Sequence, residues 1–123
     1  MTERSGRENR GNTKDRAARR ANLLRHWGNG ATAACVWCDR ILIDHGADAA
    51  SGDRPVDHIT ADHIVCHNAG GSYRMTNLVP ACYPCNNRRD EMPFEEFAAL
   101  TGRDAEALRR HAESYRRQGR RTA

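Results

Sequence analysis

The chain has 123 residues, of which 38% are apolar and only seven are aromatic. This length suits one domain, and so small an apolar content predicts a core that needs a staple such as a metal ion or disulfides. Residues 1–27 carry eight Lys and Arg against three Asp and Glu, whereas residues 28–90 carry five against seven. We see no membrane-spanning run and no signal peptide, which predicts a cytoplasmic protein with no membrane partner.

The first half of the chain is predicted to contain a basic arm, one helix and one short strand. Residues 1–12, rich in Arg, Gly and Asn, are typical of a disordered segment. A helix is predicted for residues 14–27, because apolar side chains recur there on one face. Its other face carries arginines, which are expected to meet phosphates: Arg16, Arg19, Arg20 and Arg25. A short strand at residues 41–43 and a polar loop at residues 44–54 follow.

The second half is predicted to contain a compact strand–loop–strand–helix unit. Between about residues 58 and 90 the pattern reads as an extended segment, a loop with two glycines, a second strand and a helix. This order predicts a ββα unit. Two further helices are expected, one at residues 94–100 and one that begins after Asp104, a favourable cap, and continues to about Arg117.

Four of the five cysteines form two pairs, each with a two-residue gap: Cys35 with Cys38, and Cys82 with Cys85. This gap lets both thiolates of a pair reach one ion, and four thiolates suit a closed structural zinc site. Two small-loop disulfides are the alternative, which a reducing cytosol disfavours. The fifth cysteine, Cys66, is expected to be a small apolar filler and not a ligand.

An Asp–His pair occurs twice, as Asp57-His58 and as Asp62-His63. The second pair is favoured because a glycine pair, an asparagine and the second cysteine pair with Asn86 follow it at regular distances. Aspartate and asparagine oxygens suit a hard divalent cation with open positions. A histidine beside such a cation, with an unperturbed pKa of about 6.5, is a ready general base.

The order of these residues resembles the HNH endonuclease family, also called the ββα-metal nucleases, and its four-cysteine members from bacteriophages and bacteria in particular. The motif runs Asp62-His63-Ile64, Gly70-Gly71, Asn77-Leu78-Val79-Pro80-Ala81-Cys82-Tyr83-Pro84-Cys85-Asn86. The resemblance covers about half of the chain, from Cys35 to Arg89. It implies an α+β fold, with a small ββα core stapled by a four-cysteine zinc site and with flanking helices at both ends.

The same resemblance divides the chain into three parts. Residues 13–100 are expected to form the nuclease domain, with zinc knuckles at residues 35–38 and 82–85. The basic arm of residues 1–12 precedes this domain, and a C-terminal helix with a basic tail, residues 101–123, follows it.

The resemblance also implies a role for each residue of the motif. His63 is the general base that activates water, and Asn77 holds the loop and the base in register by backbone hydrogen bonds. Asp62 and Asn86 hold the catalytic cation, where Asn86 takes the place of the more usual histidine. An amide oxygen favours Mg²⁺ or Mn²⁺ over softer metals at this site.

Arg88 and Arg89 follow the last ligand, and their guanidinium groups are expected to clamp the DNA phosphate at the cleavage site. A solvated helix face is the alternative for both residues. The implied activity is metal-dependent nicking or cutting of double-stranded DNA with low intrinsic sequence specificity. A role in phage DNA packaging, beside a phage terminase, is a further expectation. The alternative function is a non-catalytic, zinc-stapled module that binds nucleic acid or a packaging partner.

Overall fold

The computed structural model describes residues 12–50 and 54–116. The predicted basic arm, apart from Asn12, and the predicted tail beyond residue 116 lie outside these ranges. The helices are α1 (Thr13–Trp27), α2 (Tyr83–Arg89), α3 (Phe94–Thr101) and α4 (Ala105–Glu113). The strands are β1 (Ala33–Ala34), β2 (Ile41–Leu42), β3 (Thr60–His63) and β4 (Leu78–Ala81).

Helix α1 begins at a capping box, in which the Asn12 side chain accepts the Asp15 backbone N–H at 2.9 Å. Its apolar face turns further than the sequence indicates, because Leu23 is fully buried beside Leu24. Arg20, assigned to the solvated face, is also buried. Its Nε donates to the Asp44 carboxylate at 2.8 Å, so the buried charge is paired.

Two antiparallel hairpins and one short helix make the centre of the fold. Strand β1 pairs with β2, and β3 pairs with β4 in a register that sets His63 opposite Leu78. Helix α2 follows β4 after a single residue, Cys82, so the strand–loop–strand–helix unit is present as predicted. The helix begins at Tyr83, three residues before the predicted start. The prediction of an α+β fold with a ββα core is confirmed.

One hydrophobic core holds these elements together. Every residue of β4 is buried between α1, β3 and α4. Trp37 packs edge-on against Phe94 at 5.2 Å and Phe97 at 4.9 Å between ring centroids, which joins the loop after β1 to α3. On α4, Ala112 is fully buried and docks this helix on the same core. None of the helices in the described residues is long and apolar enough to span a membrane.

Candidate active site and four-cysteine cluster

The two cysteine pairs meet in space, as their spacing predicts. The Sγ atoms of Cys35, Cys38, Cys82 and Cys85 all lie within 4.8 Å of one another. The distance from Cys38 Sγ to Cys82 Sγ is 3.8 Å, and a tetrahedral ion with 2.3 Å bonds to sulfur requires an edge of about 3.8 Å. The cluster is therefore positioned to hold a metal ion. Cys66 lies outside it, also as predicted.

Burial makes this cluster a poor place for uncompensated thiolates. Desolvation raises the pKa of Cys35 to about 11, and burial also raises the pKa of Cys85. Negative charge on these sulfurs needs a cation among them, because burial disfavours the charged form of a thiol. The donor set thus fits an ion that binds thiolates, such as Zn²⁺.

A second site lies in a pocket of about 290 Å³ between β3 and α2. Three of the predicted functional residues, Asp62, His63 and Asn86, line this pocket together. The other lining residues are Ala61, Cys66, His67, Asn68, Tyr73, Asp90 and Glu91. Neighbouring side chains on a strand point to opposite faces, and Asp62 and His63 share the pocket because β3 ends at His63.

The competing Asp57-His58 pair does not line this pocket. Asp57 accepts a hydrogen bond from His45 Nε2 at 2.7 Å, and Nδ1 of the buried His58 accepts the His45 backbone N–H at 3.1 Å. These residues form a separate polar cluster beside the polar loop. The choice of position 62 over position 57 agrees with this geometry.

The Asp62 carboxylate is buried and held on both oxygens. Oδ2 accepts the indole N–H of Trp37 at 2.9 Å, and Oδ1 accepts Nη1 of Arg89 at 2.8 Å. Burial raises the pKa of Asp62, although the Arg89 cation and these hydrogen bonds act in the opposite direction. An ionised carboxylate has about four acceptor positions, so a cation can still bind on the pocket side. The sequence gave no sign of Trp37 as a partner.

His63 is held by aromatic packing. Its ring meets the Tyr73 ring edge-on at 4.4 Å, and its Nε2 is buried with no hydrogen-bond partner among the described residues. Burial lowers the pKa of His63 to about 4, and the positive charges of His67 and Arg19 act in the same direction. The imidazole is therefore neutral at pH 7 and able to accept a proton.

Asn86 presents its amide oxygen to the pocket. Its Nδ2 donates to Thr60 Oγ1 and to the Ala61 carbonyl, both at 3.1 Å. The Thr60 hydroxyl gives its own proton to the Ala81 carbonyl at 2.7 Å, so it can only accept from Asn86. This fixes the amide orientation and leaves Oδ1 without a protein donor among the described residues. Together with Asp62, it offers the oxygen donors that a hard cation prefers.

Asn77 ties down the loop that follows β3. Its Oδ1 accepts the Val65 N–H at 2.9 Å, and its Nδ2 donates to the carbonyls of Val65 at 3.1 Å and Ser72 at 2.9 Å. Gly71 lies against this bridge, because a Cβ there would stand 1.6 Å from the Val65 carbonyl oxygen. These are the backbone hydrogen bonds that the resemblance implied for Asn77.

The structure does not bring the two predicted phosphate clamps to the pocket surface. Arg89 is 1% exposed and donates to groups inside the protein, so it has no surface on which to meet DNA. Arg88 lies over the Phe97 ring at 5.6 Å. Two residues on a helix are about 200° apart, so Arg88 faces away from the side of α2 that carries Asn86.

A different arginine stands beside the pocket. The Arg19 guanidinium on α1 lies 4.6 Å from the centre of the Tyr73 ring, on the residue that packs against His63. Its charge also contributes to the lowered pKa of His63. The sequence indicated only that arginines of this helix meet phosphates. It did not identify Arg19 among them, because its nearness to His63 depends on the packing of α1.

Residues 35–91 match the family model of the HNH endonucleases. Neither a curated protein nor a solved structure matches the chain. The matched segment begins at the first cysteine of the cluster and ends just after α2, so it contains both candidate sites. From the ββα core, the four-cysteine cluster and this match, we conclude that the chain carries a domain of the HNH endonuclease family at residues 35–91.

Proposed function

We propose that this protein is a metal-dependent endonuclease that hydrolyses phosphodiester bonds of double-stranded DNA. The observation that supports this most directly is the shared pocket of Asp62, His63 and Asn86, in which His63 Nε2 lacks a partner. A buried polar atom without a partner needs an explanation. The attacking water is the partner that this nitrogen would acquire in the substrate complex.

In this proposal His63 acts as the general base. It takes the proton from water at Nε2, and its ring keeps its direction because Tyr73 packs against its face. Asp62 and Asn86 hold a Mg²⁺ or Mn²⁺ ion, which would offset the negative charge that develops on the phosphate and on the leaving oxygen. A DNA phosphate entering the pocket brings negative charge towards His63, which raises the pKa of this histidine and strengthens it as a base.

The DNA backbone is the part of the substrate that the pocket would contact. Arg19 is the cation closest to the His63–Tyr73 pair in this description, and we assign it to a phosphate next to the scissile one. It replaces Arg88 and Arg89 in that role. Contacts to phosphates carry no direct sequence information, so we expect low intrinsic sequence specificity.

Cleavage of supercoiled plasmid in the presence of Mg²⁺ or Mn²⁺ tests this proposal. We expect nicked or linear product from the wild type and a rate lower by about 10²–10⁴ for His63→Ala, which loses the general base. His45→Ala is the matched control, because His45 is an exposed histidine paired with Asp57 outside the pocket. Equal cleavage by wild type and His63→Ala would exclude the assigned mechanism.

A non-catalytic binding module is the second candidate. It predicts binding to DNA that weakens steeply with salt, with no metal-dependent cleavage at any metal concentration. The neutral, unpartnered His63 beside two oxygen donors favours the nuclease, because a module that only binds DNA has no use for a general base. The same plasmid experiment decides between the two.

Three finer assignments complete the proposal. Zn²⁺ is the ion that we assign to the four-cysteine cluster, supported by its sulfur geometry. A cytoplasmic location is supported by five cysteines that form no disulfide. A phage terminase as partner stays a prediction from the resemblance alone, and co-purification with a candidate terminase tests it.

A further inference from the structure

Trp37 connects the four-cysteine cluster to the second site. It stands between the two cysteines of the first pair, and its own backbone N–H donates to Cys35 Sγ at 3.4 Å. Its side chain is 2% exposed and lies against Phe94 and Phe97, so the indole cannot swing away. In this position its Nε1 donates to Asp62 at 2.9 Å.

Arg89 reaches the same carboxylate from the other cysteine pair. It lies on α2, one helical turn after Cys85, and it is almost fully buried. A guanidinium has five N–H donors, and all five have acceptors here. These acceptors are the Asp62 carboxylate, the carbonyls of His63, Ile64 and Met92, and the Cys66 sulfur.

Stability alone is a weak reason for this arrangement. Removing two charges from water costs free energy that a buried ion pair rarely repays, and apolar residues of the same volume often stabilise a core better. The apolar core of this domain is small, so a saturated arginine and a buried carboxylate occupy volume that could have been apolar. Both groups hold Asp62, which lines the pocket, and this points to a role in the site.

The geometry points to Trp37 and Arg89 as positioning residues that couple the four-cysteine cluster to the catalytic cation site. One hydrogen bond on each oxygen fixes the rotation of the Asp62 carboxylate and directs its remaining lone pairs into the pocket. Each donor is anchored next to one cysteine pair, so the metal that closes the cluster also sets the direction of the catalytic ligand. This inference rests on the proposed function, because it takes Asp62 as a ligand of the catalytic cation.

The test measures Mn²⁺ affinity in protein whose cysteine cluster is loaded with zinc. Trp37→Phe keeps an aromatic ring in the core and removes the N–H donor, and Arg89→Lys keeps the charge and loses the planar fork. Groups that orient a metal ligand typically contribute 10–100-fold to metal affinity. We therefore expect the Mn²⁺ dissociation constant from calorimetry to rise at least about 10-fold in each variant. Asp62→Asn identifies the binding event that belongs to this site.

Trp27→Phe is the matched control, since the Trp27 Nε1 has no hydrogen-bond partner among the described residues. It should lower stability somewhat and leave Mn²⁺ affinity unchanged. In plasmid cleavage, Trp37→Phe should regain most of its maximal rate at high Mn²⁺, which a protein that has merely lost stability would not do. If Arg89→Lys fails to fold, Trp37→Phe decides alone.

The outcomes separate this inference from the proposed function. Equal Mn²⁺ affinity in wild type and Trp37→Phe overturns the coupling, whether or not the wild type cleaves DNA. Absence of Mn²⁺ binding to the wild type overturns it as well. A wild type that binds Mn²⁺ without cleaving DNA would refute the nuclease, while the calorimetry would still measure the coupling.

Discussion

Removal of Arg89 should destabilise this protein more than any exposed ion pair can. In Arg89→Met the side chain keeps an apolar body of similar length, but Asp62 loses its cation in a site where its side chain is 6% exposed. Breaking a buried pair by removing one partner typically costs about 3–5 kcal/mol, because the other charge is left unpaired. The carbonyls that Arg89 served also lose a donor, so the upper half of this range is expected.

The cost should also depend on pH. Burial already raises the pKa of Asp62, and loss of the Arg89 cation removes the main influence that lowers it. The folded variant therefore holds a proton on Asp62 more tightly than the unfolded chain does. A group whose pKa is raised by folding contributes stability at low pH and loses it as pH rises. The deficit of Arg89→Met relative to wild type should be smaller at pH 5 than at pH 8.

Urea unfolding in zinc-buffered solution measures both effects. Arg110→Met is the matched control, because Arg110 pairs with Glu106 on the surface at 3.2 Å, where side chains are 66% and 77% exposed. Such a pair contributes less than about 1 kcal/mol. If Arg89→Met is no more destabilising than Arg110→Met, or if its deficit grows towards acid pH, the account of the buried pair is refuted.

Three further predictions concern other parts of the molecule. His63 has a folded pKa of about 4, below its ordinary value, so wild type should lose stability as pH falls from about 6.5 to 4, and His63→Gln should lose less over the same interval in urea unfolding. Asn77→Ala removes three hydrogen bonds to the loop and should cost about 2–4 kcal/mol, with faster hydrogen exchange at the Val65 amide; unchanged exchange there would contradict the bridge. Cys82→Ser should reduce bound zinc below one ion per chain by elemental analysis and broaden the thermal transition, whereas Cys66→Ser should leave the zinc content unchanged.

Residues that act through local spacing were predicted well from the sequence. A two-residue gap between cysteines brings both sulfurs to one ion whatever the rest of the chain does, and the four atoms indeed cluster. Helix ends follow from nearby caps, as at Asn12 and Asp104, whose side chains accept the expected backbone N–H groups. The ββα unit was predictable for the same reason, because its order is that of the chain.

Which side chains are buried depended on tertiary packing. Arg20 and Arg89 were both assigned to surfaces that meet DNA, yet each pairs with a buried or half-buried carboxylate. Charge in a sequence favours solvent, and only a partner brought close by the fold makes burial of an arginine affordable. Arg88 faces Phe97 because α3 packs on that side of α2, which no local pattern indicates.

The sequence by itself determined the cysteine ligands, the choice of Asp62-His63 and the role of Asn77 in the loop, because each follows from residue type at short range. The tertiary structure alone decided what holds Asp62. Its two donors, Trp37 and Arg89, lie 25 and 27 residues away along the chain. Folding around the cysteine cluster brings them to one carboxylate, since hydrogen bonds require atoms within about 3 Å and sequence distance sets no such limit.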